Sequence, residues 1–392
     1  MGIGAAVGAL AVLGFTSVVP DRLEVRAASG DGPAGAATPA APIGTSATAP
    51  DGAARITWAE GGDIWVHDVA GGERRRLTHD GEAPFEYLPR FHGRDRVTFV
   101  VREGDRANLF RPGLGSVASV VREIDLTTGR TTDLARFAGG VAAQAWSPDG
   151  STLALLSSDG EGRGTELRFV TRHGDEVVRT LPAVWGRGTF DGYDETRVEW
   201  AGDGRHLLVL ETGFDTSQDE TLYVLRADGS DALPPRGGTW ARWGADSRTL
   251  YCECAGPAGE GWFWQALDID TGVETPLLID RAMRPSLSPD GQAMVFDDGE
   301  DTPAVHVLEL GTGGRSRRLV EAAVAPRWID AGHVVVTDTR PCPDLPDECM
   351  AGGHGSMFDA AGTTSVVDVA TGERRPIDPF PTEGADIAWF EL

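Results

Sequence analysis

The stretch AWSPDGSTLALLS, from Ala145 to Ser157, predicts a strand, a tight turn and a second strand. Pro148 fixes φ, and Gly150 is free to adopt the positive φ that tight turns require. The apolar run from Leu153 to Leu156 is short, which favours a strand buried on both faces over a solvated edge strand. One hairpin of this size buries too little surface to fold alone, so the pattern predicts a repeated unit.

Six further copies of this unit are spread along the chain. With Trp146 as the reference, the equivalent positions are Phe91, Trp200, Trp243, Leu287, Trp328 and Trp389. The successive spacings are 55, 54, 43, 44, 41 and 61 residues. A period of roughly 40 to 50 residues with several short strands is typical of a β-propeller blade, and the longer intervals indicate loop insertions.

Each copy continues with two more strands that are joined by a glycine-containing turn. In the reference copy these strands are TELRFVT (Thr165 to Thr171) and EVVRTL (Glu176 to Leu181), and a later copy has TLYVLR followed by DALP. We label the four strands of a blade A to D, strand A being the one before the SPDG turn. The first copy, RITWAE with DIWVHD and RRRLT, has no strand A, whereas the last residues, DIAWFEL, form a strand A with nothing after it.

These two incomplete copies are expected to pair with each other. The predicted fold is therefore an all-β, seven-bladed β-propeller with four antiparallel strands per blade, in which the C-terminal strand completes blade one. Closure of this kind joins the chain ends and leaves no open seam between blades.

The repeats, of the form xWSPDGxxLxxxS followed by xLxVxDxxTGExRxLT, resemble those of the TolB-like (WD40-like, PD40) β-propeller family. WSPDG at Trp146 and LSPDG at Leu287 match best, while other copies have AGDG, GADS, HGRD or IDAG at the turn. The resemblance covers Arg55 to Leu392 and implies the fold. TolB-type proteins have six blades, whereas seven are counted here. Prolyl-oligopeptidase-type peptidases also have a seven-bladed propeller, but this sequence contains no G-x-S-x-G motif.

The N-terminal segment, residues 1–20, is predicted to be a signal peptide or a transmembrane segment. Gly2 to Pro20 is uncharged for nineteen residues, which is just long enough to cross a bilayer. Arg22 and Arg26 follow it, which under the positive-inside rule favours a cytoplasmic location for the rest of the chain. Residues 21–52 are rich in Ala, Gly, Pro, Ser and Thr and predict a flexible, disordered linker, so the propeller is expected at 53–392.

The chain is strongly acidic. Its 60 Asp and Glu residues against 35 basic residues give a net charge of -25, and such a chain is repelled by phosphate backbones. Nucleic acid binding is therefore not expected. Two basic clusters, Arg74 to Arg76 and Arg315 to Arg318, fall on strand D or its turn, where charge commonly protects a solvated edge strand.

The four cysteines form two pairs in the sequence. Cys342 and Cys349 lie in the Pro-rich insertion RPCPDLPDECM and are expected to form a disulfide if the domain lies outside the cytoplasm. Cys252 and Cys254 lie two apart in a strand, where we expect them to be too distant to bridge readily and to serve as small core residues. The cysteine spacing predicts no metal site.

The long connections are predicted to lie at one end of the propeller. D-to-A and B-to-C connections share one end of an up-and-down blade, and A-to-B and C-to-D connections share the other. The segment from Pro182 to Thr196 combines aromatic, Arg and Asp side chains, which suit a partner-binding surface. These candidates are Trp185, Arg187, Phe190, Asp191, Tyr193 and Asp194. The alternative is that Trp185 and Phe190 pack on the blades.

The predicted function is that of a non-catalytic, monomeric module of the bacterial cell envelope, secreted or membrane-anchored, that binds a protein partner without a cofactor. The alternative is a propeller enzyme or ligand sensor whose central funnel takes an acidic small molecule or a saccharide. That alternative depends on arginines that recur beside the strand A aromatic residue, namely Arg90, Arg242, Arg284 and Arg327. A third interpretation pairs these arginines with acidic residues of neighbouring blades.

Overall fold

The structure is a computed structural model that describes residues 55–68, 73–79, 85–93, 95–102, 118–158, 165–171, 176–181, 197–211, 221–255, 262–277, 279, 282–300, 303–310, 316–341, 358–377 and 388–389. The regular elements in these ranges are β-strands, and none of the described residues forms a helix long and apolar enough to span a bilayer. The predicted N-terminal segment, 1–20, and the linker, 21–52, lie outside the described residues.

The strands pair antiparallel with their chain neighbours, and we group them into units in chain order. Unit 1 contains β1 (Arg55–Glu60), β2 (Asp63–Asp68) and β3 (Glu73–Arg76). Unit 2 contains β4 (Phe85–Phe91), β5 (Arg96–Arg102), β6 (Ser119–Asp125) and β7 (Thr131–Phe137). Unit 3 contains β8 (Val141–Trp146), β9 (Thr152–Ser158), β10 (Thr165–Thr171) and β11 (Glu176–Leu181).

Units 4 and 5 belong to one seven-stranded sheet, because Arg236 and Gly237, the first residues of unit 5, pair with the last strand of unit 4. Unit 4 contains β12 (Arg197–Trp200), β13 (His206–Glu211) and β14 (Thr221–Arg226). Unit 5 contains β15 (Arg236–Trp243), β16 (Thr249–Ala255), β17 (Trp262–Asp268) and β18 (Glu274–Pro276).

The last units are again four-stranded sheets. Unit 6 contains β19 (Met283–Leu287), β20 (Ala293–Asp297), β21 (Ala304–Glu309) and β22 (Arg317–Glu321). Unit 7 contains β23 (Ala323–Trp328), β24 (His333–Pro341), β25 (Phe358–Asp368) and β26 (Arg374–Ile377). The final strand, β27 (Ala388–Trp389), pairs with β1 through Thr57↔Ala388 and Ile56↔Trp389, so the sheet of unit 1 has the order β27-β1-β2-β3.

The SPDG turns are held by their own side chains. In unit 3, Ser147 Oγ donates to Asp149 Oδ1 (2.6 Å), and the same carboxylate oxygen accepts the backbone N–H of Ser151 (3.0 Å). In unit 6, Ser288 Oγ donates to Asp290 Oδ1 at the same distance, 2.6 Å. These aspartates satisfy donors of the turn itself, which explains on physical grounds why Asp recurs at this position.

The hydrophobic core lies between successive sheets. Leu156 and Phe169 of unit 3, for example, share a buried cluster with Leu207 and Val209 of unit 4. Comparable clusters join unit 1 to unit 2, unit 2 to unit 3, unit 4 to unit 5, unit 5 to unit 6 and unit 6 to unit 7. Sheets stacked face to face in chain order are the arrangement of a β-propeller, so the all-β propeller fold predicted from the repeats is confirmed.

Tryptophan indoles link the inner strand of one unit to that of the unit before it. In the preceding unit, the acceptor is the backbone carbonyl of the residue just before the position equivalent to the donor tryptophan. These bonds are Trp200 Nε1 to Ala145 O (3.2 Å), Trp243 Nε1 to Glu199 O (3.1 Å) and Trp328 Nε1 to Ser286 O (3.1 Å). Trp146 reaches the same type of carbonyl through a relay, since its Nε1 donates to Thr98 Oγ1 (3.3 Å), which donates to Arg90 O (3.3 Å).

One predicted strand is absent from the described part of unit 4. The segment DALP forms only an isolated bridge, Leu225↔Asp231, and its place beside β14 is taken at one end by Arg236 and Gly237 of β15. Pro234 and Pro235 have no N–H to donate and cannot continue a ladder, which accounts for the difference.

The expectation for Cys252 and Cys254 was wrong, because they are joined by a disulfide. Their Cα atoms are 5.5 Å apart, less than the roughly 6.6 Å of two ideal strand residues and within the range that a disulfide spans. A register shift in β15 between Gly238 and Trp240 lies directly opposite, and irregular pairing of this kind accompanies local bending of a strand. Both cysteines are buried in the cluster between units 4 and 5, as expected of core residues.

Candidate functional site

A groove of about 830 Å³ lies between units 3 and 4, at the end of the sheets where the short turns emerge. The SPDG turn of unit 3 borders one side and the turn Gly202 to Gly204 borders the other, and the remaining lining residues include Thr171, Val177, Ala227 and Asp228. This volume is within the range of small-ligand and peptide pockets.

The floor of the groove is apolar. The rings of Phe169 and Trp200 meet edge to face with centroids 6.0 Å apart, and both side chains are otherwise buried. Val177, near the start of β11, lines the outer part of the groove and is 61% exposed. A β-branched side chain this exposed leaves apolar surface in water that a ligand can cover.

The rim of the groove is acidic, with Asp149, Asp203 and Asp228 among the lining residues. The hydrogen bond from the Ser147 hydroxyl, followed by those from Ser151, lowers the pKa of Asp149 to about 2. The Ser230 hydroxyl and backbone N–H lower the pKa of Asp228 in the same way. These two carboxylates therefore stay ionised throughout the physiological pH range.

Two arginines close to this rim have acceptors in unit 4. Arg226 donates to the carbonyl of Asp231, and Arg179 Nη2 lies 2.6 Å from Asp231 Oδ1. Arg226 also contributes to the lowered pKa of Asp228, so that carboxylate is partly balanced. An acidic rim over an aromatic floor suits a ligand that combines positive charge with apolar surface.

At the neighbouring junction, between units 2 and 3, the His92 side chain occupies the position that corresponds to the groove. His92 stacks on Trp146 with ring centroids 3.9 Å apart, and His92 Nδ1 lies 2.7 Å from Glu123 Oε2. The imidazole also packs against the turn glycine, since a Cβ added to Gly150 would lie 2.7 Å from His92 Nε2. A groove like the one between units 3 and 4 has no space to form there.

Two sequence positions, and a turn that is one residue shorter in unit 2 than in unit 3, distinguish the two junctions. Phe91 pairs with Val97 in unit 2 as Trp146 pairs with Leu153 in unit 3, which makes His92 equivalent to Ser147. On the third strand, the same register makes Glu123 of unit 2 equivalent to Phe169 of unit 3. Our sequence analysis did not find the groove, although the Ser147 and His92 difference is visible when the repeats are aligned.

The inner-strand arginines have different surroundings. Arg242 Nη1 lies 2.9 Å from Glu199 Oε2 of the preceding unit, the kind of pairing that the third interpretation described. Arg90 Nη1 donates to the carbonyl of Pro89 (2.9 Å), and Arg327 Nη1 donates to the carbonyl of Pro326 (3.1 Å). Arg284 lies in β19, where only its backbone is described.

The other predicted site residues lie outside the described residues. These are the partner-binding candidates Trp185, Arg187, Phe190, Asp191, Tyr193 and Asp194, and the cysteines Cys342 and Cys349. In the part of the chain that the structure does describe, no three His, Cys, Asp or Glu side chains come together in a way that could hold a metal ion.

No protein-family model and no curated protein matches this sequence. Solved structures do match it. The chain is similar to a putative 6-phosphogluconolactonase from Bacteroides fragilis (TM-score 0.51, 14% identity, 88% of this chain and 100% of that one). It is also similar to the tricorn protease (TM-score 0.54, 11% identity, 85% and 34%) and to TolB from Acinetobacter baumannii (TM-score 0.41, 18% identity, 69% and 64%).

The two matches with TM-scores above 0.5, to the tricorn protease and the putative 6-phosphogluconolactonase, support the β-propeller fold and nothing beyond it, because their identities are only 11% and 14%. The resemblance to TolB-like β-propellers that the repeats indicated is confirmed at that level. The match spans less than two thirds of the TolB chain and about one third of the tricorn protease. The names of the similar proteins include enzymes as well as TolB. The fold therefore does not distinguish catalysis from binding, and the function has to be argued from the site.

Proposed function

We propose that this chain is a non-catalytic, seven-bladed β-propeller that binds a protein partner as a scaffold module of the cell envelope. The seven units, with β27 beside β1, support a ring in which the last strand completes the first blade. The TolB-like repeat pattern supports a binding module, since it builds a rigid disk whose connections are free to vary.

The observation that carries the proposal is that the longest connections between described strands all leave the same end of the units, although short connections leave that end as well. Turns such as 147–151 and 126–130 are short and, where described, hydrogen-bonded within themselves. The connections β5–β6 and β11–β12, at the opposite end, span 103–118 and 182–196. Long connections on a rigid scaffold are where binding residues concentrate. The end that carries 182–196 is therefore the proposed partner surface.

An extracytoplasmic location is part of this proposal. The Cys252–Cys254 disulfide supports an oxidising compartment, because reducing compartments do not sustain such bonds. Export or tethering through residues 1–20 completes the proposed topology. Mass spectrometry of protein purified from the envelope tests it, and free thiols at Cys252 and Cys254 in that material contradict it.

The partner surface is tested with the full chain as bait in solubilised envelope extract, followed by affinity measurements on the purified partner. Trp185→Ala and Arg187→Ala are expected to weaken binding by about 2 kcal/mol each, because aromatic and Arg anchors dominate interface energy. Asp290→Ala, in the SPDG turn of unit 6, is the control and should leave binding intact. Loss of binding in the control with none in Trp185→Ala refutes the proposed surface.

A ligand sensor that uses the central funnel is the second candidate. Arg90 and Arg327 support it, because each is half-buried at the equivalent inner-strand position of units 2 and 7. Arg242 supports it less, since its charge is balanced by Glu199. Calorimetry with acidic sugars against the wild type and an Arg90→Gln, Arg327→Gln double variant distinguishes this function from protein binding alone.

A further inference from the structure

We propose that the groove between units 3 and 4 is a second docking site, which binds an extended peptide segment of a partner protein in which Lys or Arg flanks a large apolar side chain. This inference goes beyond the proposed function, because the groove lies at the short-turn end of the sheets, opposite the connection 182–196.

The apolar residues that line the groove indicate that the peptide carries an apolar side chain. Phe169 and Trp200 line the base of the groove but are only 7% and 9% exposed, so most of the accessible apolar surface belongs to Val177, which is 61% exposed. A Leu, Phe or Trp side chain placed there covers Val177 and the accessible part of the two rings, and removing this apolar surface from water contributes to affinity.

The acidic residues at the rim of the groove indicate that the peptide carries basic side chains. Asp149, Asp203 and Asp228 surround the floor, and each of their carboxylates accepts a backbone N–H of its own turn, which fixes its position. Carboxylates held in place beside apolar surface favour Lys or Arg from the ligand and repel phosphate or carboxylate groups.

A protein segment fits this surface better than a second copy of the chain does. A second copy carries the same net charge of -25, and like-charge repulsion opposes its docking on an acidic rim. The groove also reaches β11, which has a sheet neighbour on one side only among the described strands. An extended peptide can continue along such an edge, and extended peptides commonly bind in this way.

The test starts from a display library of random short peptides selected on the immobilised full chain. The enriched sequences are expected to combine Lys or Arg with Leu, Phe or Trp. Fluorescence anisotropy with one enriched peptide should then show affinity that falls steeply between low and high salt. Enrichment of acidic peptides, or of no peptides, overturns the proposal.

Matched variants separate binding from stability. Asp149→Asn and Val177→Ser should each weaken peptide binding by about tenfold, because they remove a rim charge and a floor side chain. The controls are Asp290→Asn, in the equivalent turn of unit 6, and Val178→Ser, on the other face of the same strand, which should bind like the wild type. Thermal melting should show a similar loss for Asp149→Asn and Asp290→Asn, since the two turns share the Ser–Asp hydrogen bond, with a slightly larger loss for Asp149→Asn because Asp149 also accepts the Ser151 hydroxyl.

The outcome for the groove is independent of the outcome for the proposed partner surface. Trp185→Ala should leave binding of the enriched peptide unchanged, so the two sites can fail separately. Equal loss of peptide binding in Asp149→Asn and Asp290→Asn refutes the groove as the site. Loss of binding in Trp185→Ala with none in Val177→Ser assigns the peptide to the opposite end and refutes it as well.

Discussion

The two junctions of unit 3 with its neighbours have the same strand arrangement, but one is filled by a side chain and the other contains a groove. Between units 2 and 3, His92 fills the space above Trp146 and pairs with Glu123. Between units 3 and 4, the equivalent residues Ser147 and Phe169 leave that space open above Trp200. The groove between units 3 and 4 therefore depends on the side chains at these two positions and on a turn that is one residue longer in unit 3 than in unit 2.

The framework itself is preserved at both junctions. Trp146 and Trp200 each reach the inner strand of the preceding unit by a hydrogen bond, through Thr98 Oγ1 in one case and directly to Ala145 O in the other. Because these contacts are shared, variants that remove them test the scaffold, whereas variants of His92 and Gly150 test the difference between the junctions.

The largest effect is expected from Trp200→Ala. This substitution removes a 9% exposed indole from the core between units 3 and 4 and leaves Ala145 O without its donor. The free energy of unfolding should fall by about 4 kcal/mol. Denaturant unfolding measures it, and Trp200→Phe, which keeps most of the apolar contact, should lose about half as much. Equal losses for the two variants contradict a role for the indole volume.

His92→Ser should convert the closed junction into an open one. The change removes a ring stacked on Trp146 and the partner of Glu123, and we expect a loss of about 2 kcal/mol in the free energy of unfolding. Glu123 keeps Arg96 at 3.4 Å, which limits the penalty. A crystal structure of the variant should show a new cleft above Trp146. A junction that stays filled shows that the residue at this position does not decide groove formation.

Gly150→Ala and Gly204→Ala compare the two junctions through their turns. Both glycines have positive φ, 67° and 68°, so both substitutions introduce similar backbone strain. A Cβ at Gly150 meets His92 Nε2 at 2.7 Å, whereas at Gly204 its nearest neighbour is Pro148 Cδ at 3.7 Å. Gly150→Ala should therefore be less stable than Gly204→Ala by about 1 kcal/mol.

The His92→Ser background provides the control for this comparison. Without the imidazole, the two alanine variants should be destabilised equally, and a double-mutant cycle on thermal or urea unfolding measures the coupling. A difference that persists in this background shows that His92 is not its cause.

The smallest effect concerns acid stability. In the folded protein Asp149 has a pKa of about 2, so its ionised form contributes stability that is present above its ordinary pKa and is lost as pH falls through about 2. Ser147→Ala removes the largest cause of that low pKa. The pKa of Asp149 should rise towards its ordinary value, and the loss should begin at higher pH. A carbon-detected NMR titration measures this, and an unchanged Asp149 pKa in Ser147→Ala contradicts the assignment.

The fold followed from the sequence because its signals are local and repeated. Each turn Asp and Gly acts within its own turn, and the strand A reference residue recurs at a similar spacing. The structure predicted for one repeat therefore predicts that of the others. The failures had two kinds of cause. The strand predicted at DALP was wrong for a local reason, the consecutive prolines Pro234 and Pro235, whereas the Cys252–Cys254 disulfide depends on irregular pairing in the adjacent strand β15. The groove depends on which side chains meet across two different repeats, which no single repeat contains.

The tryptophan links between units also have a direction. In each of the bonds from Trp200, Trp243 and Trp328, the donor belongs to the later unit and the acceptor carbonyl to the one before it. As the chain emerges from the ribosome or a translocon, units 4, 5 and 7 therefore each find the acceptor for their tryptophan already synthesised. Unit 1 is the exception, because β27, which completes its sheet, follows every other described strand in the chain. Assembly can proceed unit by unit, and the sheet of unit 1 is completed only after units 2 to 7 have been made.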